Sequence, residues 1–297
     1  MKYIFSLILF LFSIIYVNGQ NSENNIFEQI TLRKSFQSKN DKAESAIVTF
    51  SKPKDKAESW LLNAAIGINI LPNTAEVLTL SPYIEYHRNS LIDKEQNNLQ
   101  TGLALEWQLR DISIKKWTPI FISSIKYNDD KIKKVSSFQG NYYFTPLLKG
   151  KGKNPKYFYR PNTIVDFGNA FQFTYSPYIG IENENRFSTE DVADKGSIYR
   201  AYFRVTSNIL LFPSSEKLKE KFEFNIDWQY RYNLEENVEN LNKSEHKYFT
   251  ASFNYIFFTT QEGKKSAKIG FDYTNGENPS KSFEEQSFYA LSLKVKL

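Results

Sequence analysis

Phe222-Glu223-Phe224-Asn225-Ile226-Asp227-Trp228-Gln229-Tyr230-Arg231-Tyr232-Asn233-Leu234 alternates apolar and polar side chains without interruption. Successive side chains of a strand point to opposite faces. One face therefore carries the aromatic and aliphatic residues from Phe222 to Leu234, and the other carries Glu223, Asp227 and Arg231 among its polar residues. A helix of the same sequence would scatter its charges around the whole circumference. The stretch reads as a two-faced strand.

The period recurs on both sides of this stretch. Residues 60–70 align Trp60, Leu62, Ala64, Ile66, Ile68 and Ile70, and residues 99–109 align Leu99, Leu103, Leu105, Trp107 and Leu109. Residues 171–181, 249–257 and 267–273 repeat the pattern with Phe, Tyr and Ile. Each apolar stripe covers about nine to eleven residues, the length a tilted strand needs to cross a bilayer. Strands of soluble sandwiches run shorter, typically about five or six. Many stripes carry Tyr, Trp or Phe at their ends, where an aromatic girdle meets lipid headgroups. Aromatics make up 16 % of the chain, yet the mean hydropathy is −0.50, so an apolar face must coexist with a wet one.

Residues 1–19 read as a cleaved signal peptide: Lys2, an apolar run from Ile4 to Tyr16, and small residues up to Gly19. The run is too short for a spanning helix. No later segment is long and apolar enough for one, which excludes a helical membrane protein. The chain has no cysteine, which excludes disulfides, thiolate metal sites and lipoprotein acylation. A formal net charge of +5 on 297 residues is too mild to point to nucleic acid, and an exported chain rarely meets any. Residues 20–44 are polar and read as a periplasmic tail or a short plug; residues 45–297 read as one all-β transmembrane barrel. Alternation does not say which face is inside. Stripe length, girdles and export together favour apolar residues outside, against a secreted sandwich or a lipocalin-like barrel.

The last stripe, Tyr289, Leu291, Leu293, Val295 and Leu297, alternates with Ala290, Ser292, Lys294 and Lys296. It resembles the terminal β-signal of bacterial outer-membrane barrels, with Leu297 where an aromatic residue is usual. The Lys, Asn and Ile bias looks like that of proteins from Bacteroidetes. The resemblance implies the bacterial outer membrane, contact with its lipids and lipopolysaccharide, and recognition of the C-terminal strand by the barrel assembly machinery.

The stripes place strands at 45–51, 59–70, 77–88, 99–110, 117–127, 133–146, 171–184, 197–211, 219–234, 246–258, 266–275 and 287–297, an antiparallel up-and-down barrel of twelve. Counting back from Leu297 makes 89–98, 185–196, 235–245 and 276–286 long outer connections, and 71–76, 111–116, 212–218 and 259–265 shorter periplasmic ones. Residues 147–170 break that rule. A hairpin of Lys156–Arg160 and Thr163–Phe167 around Pro161-Asn162 would raise the count to fourteen.

The candidate site is the polar interior. Glu106 and Arg110, Arg200 and Arg204, Glu223, Asp227 and Arg231, and Lys268 and Asp272 occupy the polar faces of four strands. Mixed charges facing a lumen either pair and fill it or line a channel and set its selectivity. The near balance of signs predicts no strong ion preference, and neither cofactor nor metal is expected. Only His87 and His246 are present, too few for a three-histidine metal site. Tyr86-His87-Arg88-Asn89-Ser90 invites comparison with outer-membrane phospholipases, but Ser90 falls on the face opposite His87, which leaves His87 as a polar residue at the outer rim. Lys149-Gly150-Lys151-Gly152-Lys153 lacks the ending of a phosphate loop and reads as a solvated basic turn. The expectation is a porin-like channel for small polar solutes and no enzyme. The alternatives are a non-conducting barrel serving a secretion or surface-assembly complex and a lipid-modifying enzyme.

Overall fold

The computed structural model describes residues 29–38, 43–51, 59–74, 77–90, 95–112, 116–148, 154–241, 243–260, 265–279 and 283–297. Fourteen strands form one antiparallel sheet: β1 Ile30–Arg33, β2 Ala46–Ser51, β3 Ser59–Ile68, β4 Leu78–Asn89, β5 Gln96–Gln108, β6 Trp117–Asp130, β7 Val135–Leu148, β8 Val165–Phe167, β9 Phe171–Ser188, β10 Gly196–Leu211, β11 Phe222–Glu236, β12 Glu245–Thr259, β13 Ser266–Asn278 and β14 Glu284–Lys296. Twelve of them pair in sequence order, and β14 returns to β2 through Leu293↔Val48 and Val295↔Ala46, closing the barrel. Closure leaves no free edge along the wall.

All twelve expected strands are present, and the two extra ones are short. β1 pairs with β3 from Ile30↔Ile68 to Arg33↔Ala65 and exchanges backbone hydrogen bonds of 3.1 and 3.2 Å between Leu32 and Leu297. It thus completes the wall between β14 and β3 beside the point where β2 begins. β8 pairs with the first residues of β9. The fourteen-strand alternative needed a strand at Lys156–Arg160. That segment instead folds into a short 3-10 turn at Pro155–Tyr157, nucleated by the Asn154 side chain, which accepts from the Lys156 N–H at 3.0 Å.

The expected contrast of connection lengths is absent. At the rim away from Leu297 the strands run on to Asn89, Ser188, Glu236 and Asn278, well past their apolar stripes. The polar residues there still pair in the ladder, as in Gly140↔Asn183 and Ser137↔Arg186, so backbone hydrogen bonding continues where hydrophobic periodicity has stopped. β11 starts at Phe222 rather than 219, after turns that close through Lys219 N–H to the Ser215 carbonyl.

The faces are assigned by burial. On β11, Glu223, Asp227, Gln229, Arg231 and Asn233 are buried, while Trp228, Tyr232 and Leu234 are exposed. The same holds on β4, β6, β9 and β14, where Ile84, Ile125, Ile179 and Leu291 face outward. The outer surface is a belt of large apolar side chains, with cross-strand aromatic pairs such as Phe203–Trp228 and Phe271–Tyr289. Two small apolar clusters also lie inside, one around Ile120, Tyr143, Tyr178 and Tyr202, the other of Phe36, Ala65, Tyr83 and Ala104.

The second cluster seats a segment that leaves the wall. After β1 the chain turns inward and returns at β2, having packed Phe36 on Tyr83 with ring centroids 4.6 Å apart. The Phe36 N–H donates to Glu85 at 2.7 Å, and the Arg33 guanidinium covers the other ring face at 3.5 Å. Gly67 makes room for it, since a Cβ there would stand 2.2 Å from Phe36 Cζ.

Candidate functional site: the charged interior

Because β9, β10 and β11 alternate strictly, their polar side chains converge on one sector of the interior. Arg231 Nε and Nη2 donate to the two carboxylate oxygens of Glu182 at 2.7 and 3.0 Å, and Nη1 donates to Gln229 at 2.9 Å. Tyr143 O–H donates to the same Glu182, and the Arg231 guanidinium lies 4.5 Å from the Tyr202 ring centroid. Arg200 donates to Glu184 at 2.9 Å and to Asn233 at 3.1 Å; Glu184 also accepts from Arg186. Phe283, from the β13–β14 connection, reaches this sector: its ring lies 4.6 Å from the Arg200 guanidinium and stacks on His246 at 4.3 Å.

A second group joins the wall to the inward segment. Arg204 holds Asp227 through two hydrogen bonds of 2.8 and 2.9 Å and donates to Glu44 at 2.6 Å. Lys34 donates to the other oxygen of Glu44 at 2.6 Å. Burial raises the Glu44 carboxyl, but Lys34 and Arg204 outweigh it and bring it down to about 2. A third group lies on β11 to β14. Lys268 donates to Glu223 at 2.6 Å, Asn225 and Asn254 donate to the same oxygen, and Lys294 bridges Asp272 and Asn254.

Of the expected residues, Arg200, Arg204, Glu223, Asp227, Arg231 and Asp272 are buried inside and Lys268 is paired there. Glu106 sits half-buried on the inward face of β5. Arg110 does not join them. β5 ends at Gln108, the alternation ends with it, and the exposed Arg110 places its guanidinium 5.3 Å from the outer Trp117 ring. Interior charged residues outside the expected set include Glu85, Lys126 and Glu184, and also Glu182 and Lys294, which the alternation places on polar faces; all lie on inward positions of their strands.

His87 is buried inside rather than placed at the rim, bonded to Asn63 at 2.9 Å and Glu85 at 3.2 Å. The Ser90 hydroxyl accepts instead from the Trp60 backbone N–H at 2.9 Å. Among the described residues no group of three or more His, Asp or Glu side chains is placed to hold a metal ion. The basic run 149–153 lies outside the described residues, as do residues 1–28 with the signal-peptide reading.

Between the second and third groups lies a cavity of about 340 Å³, lined by residues of β2, β3 and β10 to β14 and by the inward segment, with Ile47, Leu61 and Phe288 among the polar side chains. Four of its cations oppose four carboxylates, Lys34 and Arg204 with Glu44 and Asp227, Lys268 with Glu223, Lys294 with Asp272, and Lys296 also lines it. A second cavity of about 30 Å³, lined by Gln100, Asn128, Asn141, Arg200, Arg231 and Phe283, lies on the opposite sector; Gln37 and Pro279 border both.

The molecule is thus a closed antiparallel β-barrel, apolar outside and charged within, the reverse of a water-soluble barrel. No family model matches the sequence, and no curated protein does either. Solved structures similar in fold include a chain from work on the in-meso crystallization of membrane proteins, with a TM-score of 0.38, 11 % identity and coverage of 85 % of this chain and 82 % of that one. Another is OccK11 (OpdR) of Pseudomonas aeruginosa, with a TM-score of 0.36 and 10 % identity. There the match takes in 91 % of this chain and spans 63 % of the length of OccK11.

Proposed function

We propose that the protein is a bacterial outer-membrane barrel that offers small polar solutes of low net charge a narrow passage. The observation that carries this reading is the inverted economy of the fold: a belt of exposed aliphatic and aromatic side chains surrounds an interior of paired charges and amides with a cavity of about 340 Å³. Lys34, Arg204, Lys268 and Lys294 on that cavity wall each face a carboxylate, so a zwitterionic or neutral polar solute finds hydrogen-bond donors and acceptors of both signs there. Arg204, Glu223, Lys268 and Asp272 are the residues that would select. In this account the signal peptide of residues 1–19 is removed on export, and the tail of residues 20–44 acts as a short plug, with residues 34–38 and 43–44 narrowing the lumen.

Liposome swelling tests the reading. Vesicles containing the refolded protein should swell in small amino acids and sugars and exclude larger oligosaccharides. Folded barrels that admit neither would refute it. A second reading, a closed accessory barrel, draws on the same pairing, because charges bonded to one another need no water. Swelling separates the two.

A further inference from the structure

Just before β8, the chain forms a hydrogen-bonded turn at the end of the barrel wall. The Phe158 N–H donates to the Pro155 carbonyl at 3.1 Å and the Arg160 N–H to the Tyr157 carbonyl at 2.9 Å. Its position is fixed by Tyr175, which faces outward between the buried Thr174 and Ser176 and donates its hydroxyl to the Tyr159 carbonyl. Asn162 then ties the segment into the wall: its N–H donates to the Tyr175 carbonyl at 2.8 Å and its amide to the Pro146 carbonyl at 2.6 Å. Asn162 has φ +55, a left-handed conformation that asparagine tolerates better than most residues. The Asn162 side chain also bonds the inward-facing Thr145 and Ser176 hydroxyls at 2.8 and 2.6 Å, so the segment sits on the rim where the strand pair β8–β9 begins, with Tyr159 held on its outward side by Tyr175.

Its side chains combine charge with exposed aromatic surface. Lys156 Nζ lies 5.0 Å and the Arg160 guanidinium 4.1 Å from the centroid of the same Tyr157 ring. Neither cation has a carboxylate partner among the described residues, unlike Arg200, Arg204 and Arg231 inside. Phe158 and Tyr159 stand side by side, 58 % and 59 % exposed, with Ile164 also outward. In sequence the turn follows Lys149, Lys151 and Lys153, which adds positive charge. Aromatic rings beside unpaired cations at the edge of an apolar wall match the boundary between acyl chains and anionic headgroups.

We propose that Lys156 and Arg160, backed by Tyr157 and flanked by Phe158 and Tyr159, form a headgroup site for an anionic phospholipid of the adjoining leaflet. The phosphate sits between the two cations, while Phe158 and Tyr159 enter the acyl boundary. The inference rests on the membrane-spanning reading and is independent of conduction.

The test is lipid retention. The protein is refolded into phosphatidylcholine vesicles with and without phosphatidylglycerol, extracted in mild detergent, and its bound lipid measured by native mass spectrometry. The wild type should retain phosphatidylglycerol in preference to phosphatidylcholine. Lys156→Gln with Arg160→Gln should lose that preference by roughly five-fold for each cation removed. Lys156→Arg with Arg160→Lys should keep it, and so should Lys131→Gln at the opposite rim. Equal retention by the wild type and the double Gln variant would overturn the site, as would a wild type indifferent to headgroup. Failure to insert into phosphatidylcholine at all would overturn the membrane reading together with it.

Discussion

Arg231 and Glu182 show at the scale of single residues what holds the interior together. Arg231 is 1 % exposed and bonded through two nitrogens to a carboxylate that is itself buried. Removing one member strands the other as an uncompensated charge, so Arg231→Ala or Glu182→Ala should each cost about 3–5 kcal/mol. Urea unfolding from vesicles checks this. The double variant Glu182→Gln with Arg231→Met should cost less than the sum of the two, because both charges leave together. Single variants that unfold at the wild-type midpoint would mean that water already solvates the pair. The inward position of Arg231 is readable from the period of residues 222–234, and the same holds for Arg204, Glu223 and Asp272. Its partner is not readable, because Glu182 sits on β9 with β10 between them. Alternation assigns a face to each side chain and says nothing of which inward neighbour it meets. At Arg110 even the face was misread, because the strand stops two residues earlier.

At the scale of elements, the inward segment (residues 34–38 and 43–45) is held at two points, the Phe36 ring and the Glu44 carboxylate, and each can be tested alone. Gly67→Val would thrust a side chain into the Phe36 ring and unseat it without altering any interior charge. Glu44 gives a second handle, outside the spanning strands. Its carboxyl is held at about 2 against an ordinary 4.5, so its contribution to the seat is complete above 4.5 and is lost as pH falls through about 2. Pepsin, which works in acid, should leave Phe36 uncut at pH 4 and begin cutting near pH 2. In Glu44→Gln cutting should begin already at pH 4. An onset unchanged by the substitution would remove Glu44 from the seat. The twelve wall strands were legible because each carries a full apolar stripe. β1 was not, being too short to show a period; β8 falls within the Thr163–Phe167 half of the alternative hairpin, although its partner is β9 and not Lys156–Arg160; and the far-rim ends of β9 and β11 were missed because there the ladder outlasts the apolar pattern. The entry of Phe283 into the Arg200 sector has no local signature, since a single aromatic residue in a polar connection reads as solvent-exposed.

Over the whole molecule, the sequence required one wet face and one apolar face, and burial places the wet one inside. Where the interior is most open it carries charges of both signs in near balance, and both the inward segment and the Phe283 connection reduce its width. The account therefore predicts a small, weakly selective passage whose width depends on the seat of Phe36. Single-channel conductance in planar bilayers, with protein bearing the wild-type sequence and with Gly67→Val, tests this most directly. Small stable steps with near-equal permeability to potassium and chloride, enlarged in Gly67→Val, are the expected result. A folded, inserted barrel that conducts in neither form would contradict the account and leave a closed scaffold in its place.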